Sequence, residues 1–186
     1  MEIRELILKG VFQVSLNPLM DERGFFMRTY DVEFFEKAGI NYKWVQENHA
    51  SSKQKGVIRG LHFQFPPFTE TKLIRCIKGT ILDVFLDLRA GSDTFGQWDS
   101  VELSEENKKM ILLPRGFAHG YCTLTDISEV LYKVDSVYSP QYECGILWND
   151  KTLNINWPAK DPVLSEKDLK NMTLTEFTSK YGGIEV

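Results

Sequence analysis

The chain has 186 residues, of which 42% are hydrophobic and 26% charged, a composition that suits one globular domain with a buried core. Its formal net charge of −4 excludes a general electrostatic attraction to nucleic acids or anionic membranes. No apolar run approaches the roughly 20 residues of a membrane helix. We therefore expect neither a nucleic-acid partner nor a membrane partner.

The chain shows no linker, low-complexity segment or internal repeat, so we predict a single domain over residues 1–186. Its first ten residues include two glutamates and do not resemble a signal peptide. The three cysteines form no CxxC pair, a pattern that favours reduced thiols over a disulfide framework. We therefore expect a cytoplasmic protein.

Short strands separated by turn residues dominate the predicted structure. Within residues 80–88, leucine and valine side chains alternate with Asp83 and Asp87, as in a strand with two unlike faces. Many short strands in a chain of this size predict a mainly β fold, which is a sandwich, a jelly roll or a small barrel. In chain order, the predicted strands are 11–16, 25–30, 57–64, 72–78, 80–88, 109–113 and 129–135.

Helices are few in this pattern. Asp31 can cap a short helix that ends at Gly39. A second helical segment is predicted to begin at Ser165 and to run over about 165–178, ending near Phe177.

Two of the three histidines lie in motifs that resemble the paired motifs of cupins. His62 follows Gly56 by six residues, and His119 ends a Pro114-x-Gly-x-x-His segment. The resemblance implies a cupin jelly-roll barrel, also called a double-stranded β-helix. Metal-binding cupins use two histidines two apart on one strand, but Gln64 stands at the second position here. Because an amide oxygen is a poor ligand for a transition metal beside imidazole, we expect no metal and a His62 that is available for acid–base chemistry.

Three residues could carry such chemistry if one face of the barrel presents them together. Imidazole, as in His62, can remove a proton near neutral pH, and the Lys72 ammonium can stabilise the resulting enolate. The Tyr132 phenol can return a proton from the opposite side, which inverts a carbon next to a ketone without any cofactor. Structural roles for all three, and for His119, remain the alternative.

A carboxylate on the far nitrogen of His62 would fix the tautomer of the base. The sequence offers Asp168 and Asp83 for this place and does not separate them. Asp168 also fits a variant capping box that begins at Ser165.

Taken together, segments along nearly the whole chain resemble the dTDP-4-dehydrorhamnose 3,5-epimerase family. Each segment is weak evidence alone, but their common order is specific. They are DERGFF (21–26), VQEN (45–48), RGLHFQ (59–64), TKLIRC (71–76), TFGQW (94–98), LPRGFAHG (113–120), LYK (131–133), WND (148–150) and LSEKD (164–168).

The resemblance implies a role for each matching residue. His62 would be the base with Asp168 as its partner, Lys72 would stabilise the enolate, and Tyr132 would be the acid. Arg23 and Arg59 would hold a diphosphate, for which guanidinium groups are suited. The other implied substrate-binding residues are Gln46, Asn48, His119 and Tyr138, together with Phe26 stacked on the nucleotide base.

The resemblance also implies a homodimer with exchanged amino-terminal strands, so Arg23 and Phe26 would serve the neighbouring site.

Two features depart from strand alternation or from the family's usual residues. Strict alternation places Arg59 opposite to His62, so both reach one ligand only if the strand has a bulge, for example at Gly60. Arg28 stands where the family usually has a glutamate that accepts a hydrogen bond from thymine, which leaves the nucleotide base open.

The leading interpretation is epimerisation at C3 and C5 of a dTDP-4-keto-6-deoxy sugar. An enzyme that inverts only one carbon of another 4-keto sugar nucleotide is the nearest alternative. A non-catalytic cupin that binds a nucleotide or sugar is a second alternative, although it would need neither Lys72 nor Tyr132. A metal-dependent cupin oxygenase or isomerase is disfavoured by Gln64.

Overall fold

The computed structural model describes all residues, 1–186, and contains a mainly β structure with two short helices. No helix is both long and apolar enough to cross a membrane. The helices are α1 (Val32–Lys37) and α2 (Leu174–Tyr181), and a 3-10 turn covers Asp168–Lys170. The strands are β1 (Glu2–Glu5), β2 (Phe12–Ser15), β3 (Leu19–Asp21), β4 (Gly24–Phe26), β5 (Gln46–Ser52), β6 (Ile58–Gln64), β7 (Lys72–Lys78), β8 (Thr80–Asp87), β9 (Trp98–Ser104), β10 (Lys109–Leu113), β11 (Phe117–Thr123), β12 (Ser128–Val134) and β13 (Glu143–Gly145).

The strand pairing is that of a jelly roll. β8 pairs with β9, β7 with β10, β6 with β11 and β5 with β12, all antiparallel, so that each pair encloses the one before it. These strands form a six-stranded sheet in the order β1-β2-β10-β7-β12-β5 and a five-stranded sheet in the order β13-β6-β11-β8-β9. The mainly β jelly-roll barrel predicted from the sequence is confirmed.

Apolar side chains form three layers around the two sheets. The inner layer lies between the sheets and includes Ile74, Phe85 and Val130. Outside the six-stranded sheet, α1 contributes Phe35 to a second cluster. Outside the five-stranded sheet, the carboxy-terminal segment contributes Phe177 to a third. Because both faces of each sheet are covered, several central strands are buried on both sides and lose the simple inside–outside alternation.

The structure confirms most of the predicted strands and adds others. The predicted strands at 72–78 and 109–113 are confirmed with the same bounds. Those at 57–64 and 80–88 differ by one residue at one end, and those at 11–16 and 129–135 differ by one residue at both ends. β11 was not predicted because every one of its residues is buried, including His119 and Gly120. β5 was not predicted because its side chains are polar on both faces.

Two other predictions need correction. The strand predicted at 25–30 ends at Phe26. The chain then leaves the hairpin and reaches α1, which begins at Val32. Asp31 caps that helix as predicted, accepting a hydrogen bond from the Phe34 amide. The helix also stops at Gly39 as predicted, since Lys37 is its last residue, Ala38 is its cap and Gly39 has a φ of +77°.

The helix predicted over 165–178 is wrong in its bounds. Residues 168–170 form only a 3-10 turn, in which the Asp168 amide donates to Ser165 Oγ. The chain then extends, and the Met172 carbonyl accepts a hydrogen bond from the Leu147 amide. The second helix therefore begins at Leu174, where Thr173 and Glu176 form a capping box.

Candidate active site

The space between the two sheets opens as a cleft with two adjoining lobes. The first lobe has a volume of about 640 Å³ and the second about 420 Å³. His62, Lys72 and Tyr132 line both lobes and so stand where the lobes meet. These are the three side chains that the sequence predicted to act together.

His62 is held by Asp168 at the junction of the lobes. The ring Nε2 lies 2.5 Å from Asp168 Oδ1, and 28% of the histidine side chain remains exposed to the cleft. Burial raises the pKa of Asp168, but hydrogen bonds from His62, Ser165 and the Gly60 amide, with the charge of His62, hold it below its ordinary value. Asp168 therefore stays a carboxylate and fixes the orientation of the imidazole, an arrangement that can support proton transfer.

A bulge in β6 brings Arg59 to the same cleft as His62. His119 pairs with His62 and Tyr121 with Arg59, so two residues of β6 oppose one of β11. Gly60 occupies the bulge with φ of +111°, and a side chain there would lie 2.5 Å from the His119 carbonyl oxygen. The bulge predicted at Gly60 is confirmed, and Arg59 lines the first lobe.

Lys72 enters the cleft as a buried cation with an acidic neighbour. Its Nζ lies 3.1 Å from Glu70 Oε1, and the lysine is only 6% exposed. Gln64 is within hydrogen-bond distance of Glu70 as well, and its amide also bonds the Phe68 and Ser139 backbones. The amide of Gln64 thus holds the loop that carries Glu70. Glu70 in turn holds the Lys72 ammonium through their ion pair.

The donor set does not fit a cupin metal site, because the Gln64 amide is committed to these loop contacts. No group of three or more histidine, cysteine, aspartate or glutamate side chains is placed to hold a metal ion.

Tyr132 lies on β12 with its side chain toward the inner layer. Burial raises the pKa of its phenol, and the neighbouring carboxylates Glu70 and Glu143 raise it further, against a smaller opposite effect of Arg59. The phenol therefore remains protonated at neutral pH and can act as a proton donor.

A second histidine–aspartate pair lies deeper in the barrel. His119 Nε2 is 2.8 Å from Asp83 Oδ2, and Asp83 is fully buried on β8. Burial raises the pKa of Asp83 above its ordinary value, despite the opposing effects of His119 and Lys72. The structure thus separates the two aspartates that the sequence left open, since Asp168 contacts His62 and Asp83 contacts His119.

The second lobe contains three more of the predicted residues. Gln46 and Asn48 on β5 bond each other, and Tyr138 lies next to them. Two cleft residues were not predicted from the sequence. Glu143 lines the second lobe from a three-residue strand, and Lys167 lines the first lobe. Glu143 accepts hydrogen bonds at 2.5 Å from both Lys167 and Tyr138 and links the two lobes.

Two predicted residues, Arg23 and Phe26, do not line the cleft. Arg23 pairs with Asp21 in the β3–β4 hairpin and is largely exposed. Phe26, at the end of the same hairpin, is 68% exposed and lines a separate cavity with Arg28. Arg28 itself donates to Asp31, the cap of α1. Nine of the predicted residues line the two lobes: His62, Lys72, Tyr132, Asp168, Arg59, His119, Gln46, Asn48 and Tyr138.

Known proteins are similar to this chain in both sequence and fold. Residues 5–176 match the family model described as dTDP-4-dehydrorhamnose 3,5-epimerase. A protein of that name from Shigella flexneri is 48% identical over 157 residues, which cover 84% of this chain and 86% of the relative.

Two solved structures are similar over almost their full length. The dTDP-4-dehydrorhamnose 3,5-epimerase of Bacillus anthracis, with TDP and PPi bound, is 43% identical with a TM-score of 0.91, covering 93% of this chain and 99% of its own. A 3'-monoepimerase from Streptomyces bikiniensis, in complex with dTDP-quinovose, is 31% identical with a TM-score of 0.89, covering 97% of this chain and 91% of its own. The overall shape therefore does not separate single from double epimerases.

Proposed function

The chain belongs to the dTDP-4-dehydrorhamnose 3,5-epimerase family, and we propose that it inverts C3 and C5 of a dTDP-4-keto-6-deoxy sugar. The fold is accordingly of the cupin type, and the enzyme is an isomerase. The observation that supports this function best is the placement of a base, a cation and an acid at one junction in the cleft. A site that only binds a nucleotide sugar would not need this set.

We assign the chemical steps to four residues. His62, oriented by Asp168, removes the hydrogen beside the ketone, and the electrons move onto the ketone oxygen as an enolate. The Lys72 ammonium stabilises this oxygen. Tyr132 then delivers a proton to the opposite face of the carbon, which inverts it. Exchange with water restores both groups before the second carbon reacts.

The substrate's other parts are assigned to the lobes on either side. Arg59 and His119 in the first lobe, and Gln46, Asn48 and Tyr138 in the second, would bind the diphosphate, nucleotide and sugar. Arg23 and Phe26 would reach the cleft of a second copy in a homodimer. The exposed apolar side chains of the β3–β4 hairpin support this dimer, since Leu19 and Met20 are each 71% exposed.

A cytoplasmic location is part of the proposal. All three cysteines are free, which suits a reducing compartment.

Inversion of a single carbon is the alternative function, favoured by the similarity to a 3'-monoepimerase. The deciding test is incubation with dTDP-4-keto-6-deoxyglucose in deuterated water. We expect deuterium at both C3 and C5 of the product, measured by NMR and mass spectrometry. Label at one carbon would support the alternative, and no label at either would contradict epimerisation of this substrate.

His62→Ala tests the base itself. We expect solvent exchange to fall by about two to four orders of magnitude, because the variant lacks the group that takes the proton. Calorimetric binding of dTDP should persist, which separates lost chemistry from lost folding. Exchange close to that of the wild type would remove His62 from the mechanism.

A further inference from the structure

Two buried hydroxyl groups in the first lobe have no hydrogen-bond partner in the protein. Tyr121 is 5% exposed and Ser52 is 4% exposed, and neither the Tyr121 hydroxyl nor Ser52 Oγ is bonded to another protein atom. Both residues nevertheless line the cleft. Because a buried hydroxyl without a partner costs about 1–3 kcal/mol, these two groups are poorly explained by folding alone.

The hydroxyls come from opposite sheets and lie close together. Ser52 ends β5, and Tyr121 lies on β11 with its ring in the inner apolar layer. They are near enough for Ser52 to lower the pKa of Tyr121, although their geometry is not that of a hydrogen bond. Even if they turned toward each other, two O–H groups would use only one donor between them. One donor would still be free.

The surroundings of the pair favour an acceptor oxygen. Tyr121 lies opposite Arg59 in the β11–β6 register, and Arg59 donates to the carbonyl oxygen of Ser51, next to Ser52. A guanidinium donates hydrogen bonds and accepts none. Burial raises the pKa of Tyr121 to about 12, against a smaller lowering by Arg59, so its hydroxyl keeps its proton at neutral pH. This end of the first lobe therefore contains hydrogen-bond donors, and the two unpaired hydroxyl oxygens lie beneath the surface of the cleft.

We infer that the Tyr121 and Ser52 hydroxyls donate a hydrogen bond to an oxygen of the bound nucleotide sugar, beside Arg59. The inference rests on the proposed function, because that function supplies the ligand. The oxygen belongs either to the diphosphate or to the sugar ring, and both present the same acceptor chemistry. Tyr121 and Ser52 are binding residues in this scheme and take no part in proton transfer.

The test is the double variant Tyr121→Phe/Ser52→Ala, titrated calorimetrically with dTDP and with dTDP-glucose. We expect the Kd for dTDP-glucose to rise about tenfold or more, as for the loss of one hydrogen bond to a strong acceptor. An equal rise for dTDP assigns the contact to the diphosphate, and an unchanged Kd for dTDP assigns it to the sugar. The unfolding temperature should not fall, because the deleted hydroxyls have no protein partner.

Tyr181→Phe is the matched control, since it deletes a phenol that packs on Phe65 and does not line the cleft. Wild-type affinity for both ligands in the double variant would overturn the inference. A wild-type protein that binds dTDP-glucose but exchanges no deuterium would contradict the proposed function and leave the binding result standing. A wild-type protein that binds neither ligand would overturn both.

Discussion

All three histidines of this chain pair with a carboxylate, yet the pairs lie in three different environments. His49 meets Glu129 on the surface, His62 meets Asp168 at the edge of the cleft, and His119 meets Asp83 inside the barrel. The aspartate of the cleft pair has a lowered pKa and that of the interior pair a raised one. The same two functional groups therefore have different electrostatic properties, and burial is what sets them apart.

The cleft pair combines a shielded carboxylate with an accessible ring. Asp168 is buried and ionised, whereas the His62 ring reaches both lobes. The interior pair buries both partners, so its cost of desolvation is larger and its ring is less available to a substrate. From this we expect the cleft pair to govern the reaction rate and the interior pair to govern stability.

Asp168→Asn should have the largest effect of the substitutions that test this comparison. The asparagine side chain is uncharged and cannot form an ion pair with His62. We therefore expect deuterium exchange to fall by about two orders of magnitude or more. Exchange is measured by NMR under saturating substrate, with Asp83→Asn as the matched variant. Equal losses in the two variants would break the proposed division of roles.

His119→Ala should lower the stability of the fold, in addition to any effect on substrate binding. Removing one partner of a buried pair leaves Asp83 alone in the interior, and we expect the free energy of unfolding to fall by about 3 kcal/mol. Urea unfolding followed by circular dichroism measures this change. His62→Ala is the comparison, and a loss of stability as large as that of His119→Ala would contradict the assignment.

The pH dependence of stability should differ in sign between the two aspartates. The pKa of Asp168 is lowered by folding, so its stabilisation is present above the ordinary value of about 3.9 and is lost as the pH falls through the folded pKa. The pKa of Asp83 is raised, so its contribution is present below about 3.9 and is lost as the pH rises through the folded pKa.

Urea unfolding of wild type, Asp168→Asn and Asp83→Asn, between about pH 3 and about pH 7, checks these signs. The advantage of wild type over Asp168→Asn should shrink toward acid, and its advantage over Asp83→Asn should shrink toward neutrality. The same trend in both variants would show that burial does not separate the pairs.

His49→Ala should have the smallest effect. The His49 side chain is 52% exposed and lies outside both lobes, so we expect the free energy of unfolding to change by less than about 0.5 kcal/mol. Exchange should equal that of the wild type in the same NMR assay. A marked loss of exchange would mean that surface pairing contributes to the site.

Local sequence patterns were sufficient for much of the fold and for the chemical residues. Alternation of side chains located β8 and β12, and Asp31 marked the start of α1. The motifs around His62 and His119 also identified residues that line the cleft. These features depend on neighbouring residues, which is why the sequence reveals them.

The tertiary structure decided the pairings. Asp168 is 106 residues from His62 and Asp83 is 36 residues from His119, so only the closure of the barrel selects one partner for each ring. It also placed Glu143 and Lys167 beside the cleft. These contacts join segments far apart in the chain, and no local periodicity records which distant side chains the two sheets bring together.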